Sequence, residues 1–141
     1  MKSCDHQVLV DRFLDAWNSQ VVDAVVACYT DDLVYRDPNT RGEVRGADAF
    51  RRYLAKLFAT WRMHWTLREI HPLRDADGAA VLWHASFGRA GEAATVEEDG
   101  IDLVLVRDDR IARNDVCFDR TKLAPLMGAG LTPPGGASRS R

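Results

Sequence analysis

Two aspartates are the residues of this chain best placed to do chemistry. The first closes the run Asp31-Asp32-Leu33-Val34-Tyr35-Arg36-Asp37-Pro38. Proline biases the residue before it toward extended backbone, so Asp37 is expected at a strand end and not on a solvated helix face. The second lies in Gly100-Ile101-Asp102-Leu103-Val104-Leu105-Val106. A carboxylate within a Val/Leu/Ile strand must be hydrogen-bonded, protonated or lining a cavity, because a bare buried charge is costly. Two such groups in one small domain imply a pocket that moves protons. Each also has a plainer reading: Asp37 as a turn cap before proline, Asp102 as a satisfied core residue.

The elements that must position them follow from periodicity. Residues 6 to 18 predict a helix with Val8, Leu9, Phe13, Leu14 and Trp17 as its apolar stripe. A second helix runs through Val22, Val25, Val26 and Tyr29, ending at Thr30-Asp31-Asp32, and Leu33 to Asp37 is a short strand. A third helix, near Ala47 to Thr60, sets Phe50, Tyr53, Leu54, Leu57 and Phe58 against Arg51, Arg52 and Lys56. From Arg62 the period changes to two: Met63, Trp65 and Leu67 oppose His64, Thr66 and Arg68. Strands follow at Ala79 to Arg89, Thr95 to Arg107 and Ile111 to Asp119, joined by turns at Asp77-Gly78, Gly91 to Ala94 and Asp108-Asp109-Arg110. Helices first and antiparallel strands afterwards is an α+β order.

One domain over 1–127 is expected, with a flexible Gly/Pro/Ser/Arg tail over 128–141. The chain has 141 residues, 46% hydrophobic and 28% charged, with a net charge of -2. That balance gives no support for nucleic-acid binding. Apolar runs are too short to span a membrane, no apolar segment follows Lys2 to make a signal peptide, and the expected location is the cytoplasm. Cys4, Cys28 and Cys117 lack paired spacing, and reduced thiols, two of them in the core, are expected. His6, His64, His71 and His84 show no metal-ligand spacing, so no metal and no cofactor are expected. Ile101, Leu103 and Leu105 make the outward side of their strand apolar as well, which predicts a homodimer through the sheet face.

Asp11-Arg12-Phe13-Leu14-Asp15-Ala16-Trp17-Asn18, Cys28-Tyr29-Thr30-Asp31-Asp32, Arg36-Asp37-Pro38, Arg45-Gly46-Ala47 and the run from Ile101 to Ile111 occur in an order that resembles the nuclear transport factor 2-like superfamily, also called SnoaL-like or ketosteroid-isomerase-like. The resemblance covers residues 7 to 123. It implies a curved, mostly antiparallel sheet packed against three helices, forming a cone with an internal pocket. It places Asp37 where the isomerases carry a general base and Asp102 where they carry a protonated acid. Asn114, on an inward face with Val116 and Phe118, would position the substrate. His64 is a reserve acid/base group, and His84 faces the outer layer.

Phe13, Trp17, Tyr35, Tyr53, Trp83, Phe87 and Phe118 would bind a hydrophobic ring system. The tyrosines of the isomerase pattern are replaced by Phe13 and Leu54, so a phenol donor is missing unless Tyr29, Tyr35 or Tyr53 reaches in from elsewhere. The implied activity is Asp-mediated proton transfer on an apolar cyclic or polyketide-like carbonyl compound, of isomerase, cyclase or dehydratase type. Two alternatives stand beside it. One is water activation as in the family's epoxide hydrolases, with Arg36 or Arg68 between the carboxylates. The other is a non-catalytic dimeric module that binds a small molecule.

Overall fold

The computed structural model describes residues 3–127; the expected tail over 128–141 lies outside the described residues. The chain begins with helix α1 (Ser3–Ser19) and a one-turn helix α2 (Val22–Val26). Strand β1 (Tyr29–Arg36) and the two-residue β2 (Val44–Arg45) lead into α3 (Ala47–Thr60). Three long strands follow, β3 (Trp61–Pro72), β4 (Gly78–Arg89) and β5 (Thr95–Arg107), then β6 (Arg110–Cys117) and a 3-10 helix η1 (Arg120–Leu126).

The strands form one sheet in the order β2-β1-β6-β5-β4-β3. Every neighbouring pair is antiparallel except β1 with β6. The first strand therefore returns beside the last one, which brings Asp37 within reach of the Asp102 region. The α+β cone expected from the sequence is the fold observed.

Side-chain alternation sorts the sheet into two faces. On β4, Ala79, Val81, Trp83, Ala85 and Phe87 are buried, while Leu82, His84 and Ser86 are half-exposed on the other side. On β3, the register slips between Leu67 and Glu69, a bulge that restarts the alternation so that Ile70 faces inward after Leu67. Such a bulge bends a strand and increases its twist, which helps the long strands curl around the helices. On the helical side, Phe50, Leu54 and Phe58 recur every four residues on the buried face of α3. Gly46 precedes this helix at φ 85, in the region that side chains avoid, and donates its amide to Leu33 O at 2.9 Å.

Several local expectations need correction. In α1 the buried stripe is Leu9, Val10, Phe13, Leu14 and Trp17, with Val8 65% exposed. The second helix stops at Val26, and Tyr29 and Thr30 already belong to β1. Parallel pairing decides this: Tyr29 aligns with Ile111, and Ile111 N donates to Cys28 O at 2.8 Å. A strand partner some eighty residues away overrides a helical period. Cys28 is buried, but Cys117 is exposed at the end of β6.

Candidate active site

A cone-shaped cavity opens between α1, α3 and the concave face of the sheet. Aromatic side chains build most of its wall: Phe13 and Trp17 from α1, Tyr35 from β1, Trp61 and Trp65 from β3, Trp83 and Phe87 from β4, and Phe118 after β6. Leu14, Leu57, Met63, Val116 and Leu123 fill the gaps between them. Most of these rings meet edge to face, for example Trp17 with Trp65 at 5.5 Å and Trp65 with Phe87 at 5.9 Å between centroids. That geometry places positive ring edges against negative ring faces. The cavity volume is about 40 Å³. The interior thus has room for about three waters.

The polar side chains on this wall are Asp37, Asn39, the Tyr35 phenol, the indoles and Asp102. Both aspartates anticipated from the sequence therefore face one cavity. Their surroundings differ. Asp37 is half-buried just past the end of β1. Its Oδ1 accepts from the amides of Asn39 (2.7 Å) and Thr40 (3.1 Å), the turn-capping role. Its Oδ2 accepts from Tyr35 Oη at 2.6 Å and also from Tyr53 Oη. An ionised carboxylate offers about four acceptor sites, and all four are filled here. Burial first, and then the charge of Asp37, raise both phenols above their ordinary pKa, so each stays protonated as a donor.

Asp102 is 4% exposed in the middle of β5, opposite Val81 on β4 and Val116 on β6. Trp83 Nε1 donates to its Oδ1 at 2.9 Å, and Asn114 Nδ2 donates to its Oδ2 at 3.1 Å. Burial dominates and pushes this carboxyl up to about 7, against the pull of those two donors, with the charges of Asp37 and Asp115 adding to the rise. Glycine 100 explains how the indole reaches it: a Cβ there would stand 2.3 Å from Trp83 Cη2. The indole lies across the strand because that residue has no side chain.

Asn114 is fully buried and does not line the cavity. It stands behind Asp102, and its own orientation is fixed from the rear. Tyr29 Oη donates to Asn114 Oδ1 at 2.7 Å, and Trp17 Nε1 donates to Tyr29 Oη at 3.1 Å. The chain Trp17, Tyr29, Asn114, Asp102 forces the Asn114 amide nitrogen toward the carboxyl. Tyr29 thus enters the site from a segment expected to be helical; its parallel pairing left no local mark in the sequence.

Other expected site residues fall elsewhere. His64 is exposed on the outer face of β3, because Met63, Trp65 and Leu67 take the inward positions; it is not part of the cavity. Tyr53 reaches Asp37 and does not line the wall. His84 faces outward as expected, between Asp99 (2.8 Å) and Glu97 (2.7 Å), whose hydrogen bonds raise its pKa. Arg36 pairs with Asp115 and Arg68 with Asp99, both away from the cavity. No arginine lines the cavity among the described residues, so the epoxide-hydrolase arrangement is not assembled. Among the described residues no cluster of ligands suits a metal ion.

Sequence periodicity missed the cap of the cavity. Leu123 lies on η1, whose first turn Asp119 caps by accepting from Thr121 N at 3.0 Å. Lys122 then reaches the buried Glu98 of β5 at 3.4 Å and ties this short helix to the sheet.

The chain belongs to the SnoaL-like domain family, which matches residues 10–114. No curated protein matches the chain. Solved structures show the same fold. A candidate isomerase from Bacillus subtilis superposes with a TM-score of 0.79 at 12% identity, covering 88% of this chain and 93% of that one. A ketosteroid isomerase-like protein from Erwinia carotovora atroseptica SCRI1043 gives 0.67 at 22% identity, covering 82% and 94%. A protein of ketosteroid isomerase-like fold from Catenulispora acidiphila DSM 44928, solved in complex with trimethylamine, gives 0.74 at 16% identity, covering 85% and 92%. No described helix is long and apolar enough to cross a membrane.

Proposed function

We propose that this SnoaL-like protein is a small enzyme that moves a proton on an apolar, ring-bearing carbonyl compound, using protein groups alone. The reaction is of isomerase, cyclase or dehydratase type. The observation that carries the proposal is Asp102: a buried carboxyl on the wall of an aromatic cavity, held by two neutral donors, which burial pushes up to about 7. A group with a pKa near the working pH exchanges protons with least cost in either direction. In its ionised form Asp102 takes the proton from the carbon beside the carbonyl, leaving an enolate, and its carboxylic acid returns that proton at a second position. Trp83 and Asn114 hold it in place.

This assignment moves the base from Asp37, where the resemblance set it, to Asp102. Four donors already hold the two oxygens of Asp37, which leaves it poorly placed to take a proton from a substrate. The two phenols on one of its oxygens have a use in this scheme. Tyr35 lines the cavity and can turn its proton to the enolate oxygen while Tyr53 keeps Asp37 paired.

The test is deuterium exchange at the α-carbon of 2-tetralone in D2O, followed by proton NMR. Exchange above the protein-free rate in wild type, lost in Asp102→Asn with the fold intact, supports the proposal. If wild type gives no acceleration over a panel of planar cyclic ketones, the protein is a binding module.

We further propose that a second copy packs on the outer sheet face, where Leu82, Leu103 and Leu105 are half-exposed and Ile101 is 41% exposed. Sedimentation at micromolar concentration showing a monomer would remove this part. The free thiol of Cys117, exposed on the surface, fits a reducing compartment and supports the cytoplasm as the location.

A further inference from the structure

The charge of the cavity is as distinctive as its shape. Its wall carries Asp37 and Asp102 and, among the described residues, no lysine, arginine or histidine. The four groups that hold Asp37 are two phenols and two backbone amides, all neutral donors. The two that hold Asp102 are an indole and a carboxamide, also neutral. Neither carboxyl forms an ion pair among the described residues, whereas the outward-facing Asp115 is matched by Arg113 at 2.6 Å and Arg36 at 3.4 Å. The exposed Arg120 spends its Nε on Asn39 Oδ1 at 2.6 Å. Acidic groups without counter-ions, ringed by electron-rich faces, form a site complementary to a cation. The rim already shows the attraction: the Arg89 guanidinium sits over the Trp61 ring, 5.4 Å from its centroid.

We propose that the compound bound in this cavity carries an ammonium group, a protonated tertiary or a quaternary amine, seated against the aromatic wall beside Asp37. This rests on the reading of the cavity as the substrate site and narrows its substrate to a ring-bearing carbonyl compound that is also a cationic amine. Tetraalkyl substitution suits the slot, because methylated ammonium needs no hydrogen-bond acceptor and the free acceptor sites on the wall are few. Asp37 supplies charge without supplying a site for a hydrogen bond, which favours bulky, weakly hydrated cations over primary amines.

The experiment is calorimetric titration of the full chain with a matched pair: 4-hydroxy-N,N,N-trimethylanilinium and its neutral isostere 4-tert-butylphenol. The expected result is at least tenfold tighter binding of the cation, a preference that shrinks to threefold or less in Asp37→Asn. Equal or tighter binding of the neutral compound to wild type overturns the inference, and this outcome needs no variant to fold. A cation preference that Asp37→Asn leaves intact overturns the seating beside Asp37. The two proposals fail separately. Deuterium exchange on 2-tetralone without cation preference keeps the proton-transfer reading and removes this one. Cation preference without exchange on 2-tetralone or on a trimethylammonium-substituted tetralone does the reverse.

Discussion

Asp37 and Asp102 have the same side chain and share one cavity, yet the protein treats them in opposite ways. Asp37 sits at a strand end, where a turn and two tyrosines bring four donors to its two oxygens. Asp102 sits mid-strand, where flanking backbone is committed to the sheet and donors must come from side chains; two arrive. The strand end is rich in unpaired backbone amides, and the strand middle has none to give. Position along a strand therefore decides how far a carboxylate is stabilised. The result is one carboxylate held by four donors and one that burial pushes up to about 7.

The strongest test of this contrast is catalytic. Asp102→Asn is expected to slow α-proton exchange on a ring ketone about 1,000-fold, and Asp37→Asn by less than about tenfold, since four donors hold Asp37 before substrate enters. The reverse order of effects would return the base to Asp37. Stability against pH gives the next largest effect. The folded state holds Asp102 protonated up to about 7, while the unfolded chain releases that proton near 3.8. Between those values the folded state binds the extra proton, so this group makes the fold less stable as pH rises, by about 1.4 kcal/mol per unit and about 4 kcal/mol in all. Urea unfolding of wild type and Asp102→Asn at pH 5 and pH 7 should show the variant gaining on wild type at the higher pH. Identical slopes would place Asp102 among ordinary carboxylates.

Smaller effects sharpen the two environments. Tyr29→Phe leaves the buried Asn114 Oδ1 without its donor and should cost about 2 kcal/mol. It should also displace the Asp102 carboxyl titration, followed by carbon-13 NMR, because the Asn114 amide is then free to turn its oxygen toward the acid. A loss of stability with an unmoved titration would make Tyr29 a packing residue only. Tyr53→Phe removes one of four donors to a half-buried carboxylate and is expected to cost about 1 kcal/mol, with exchange kinetics within about twofold of wild type. A large kinetic loss in that variant would show that Asp37 is held for chemistry and not for charge.

The sequence carried the sheet well because β4 and β5 alternate cleanly, and that alternation alone turns Asp102 inward with Trp83 and Val104. Pro38 similarly marked Asp37 as a strand end. What it hid was set by distant partners. Tyr29 reads as the last helical apolar residue, and only β6 makes it a strand residue. The saturation of Asp37 depends on Tyr53, which α3 delivers across the cavity mouth. His64 sits in a strand whose residues below it are large and apolar, and their claim on the interior sends it out. Leu123 follows the last strand in a helix too short to show a period.

The chain contains four tryptophans, Trp17, Trp61, Trp65 and Trp83, and every one of them stands on the cavity wall. Indoles dominate the near-ultraviolet emission of a protein, and here the surface and the remaining core contribute none. The indole emission of this molecule therefore comes from the cavity wall alone. Anything that enters, changes the wetness of the slot or alters the charge on Asp102 beside Trp83 will register in colour and brightness, so the protein carries its own unlabelled reporter of occupancy.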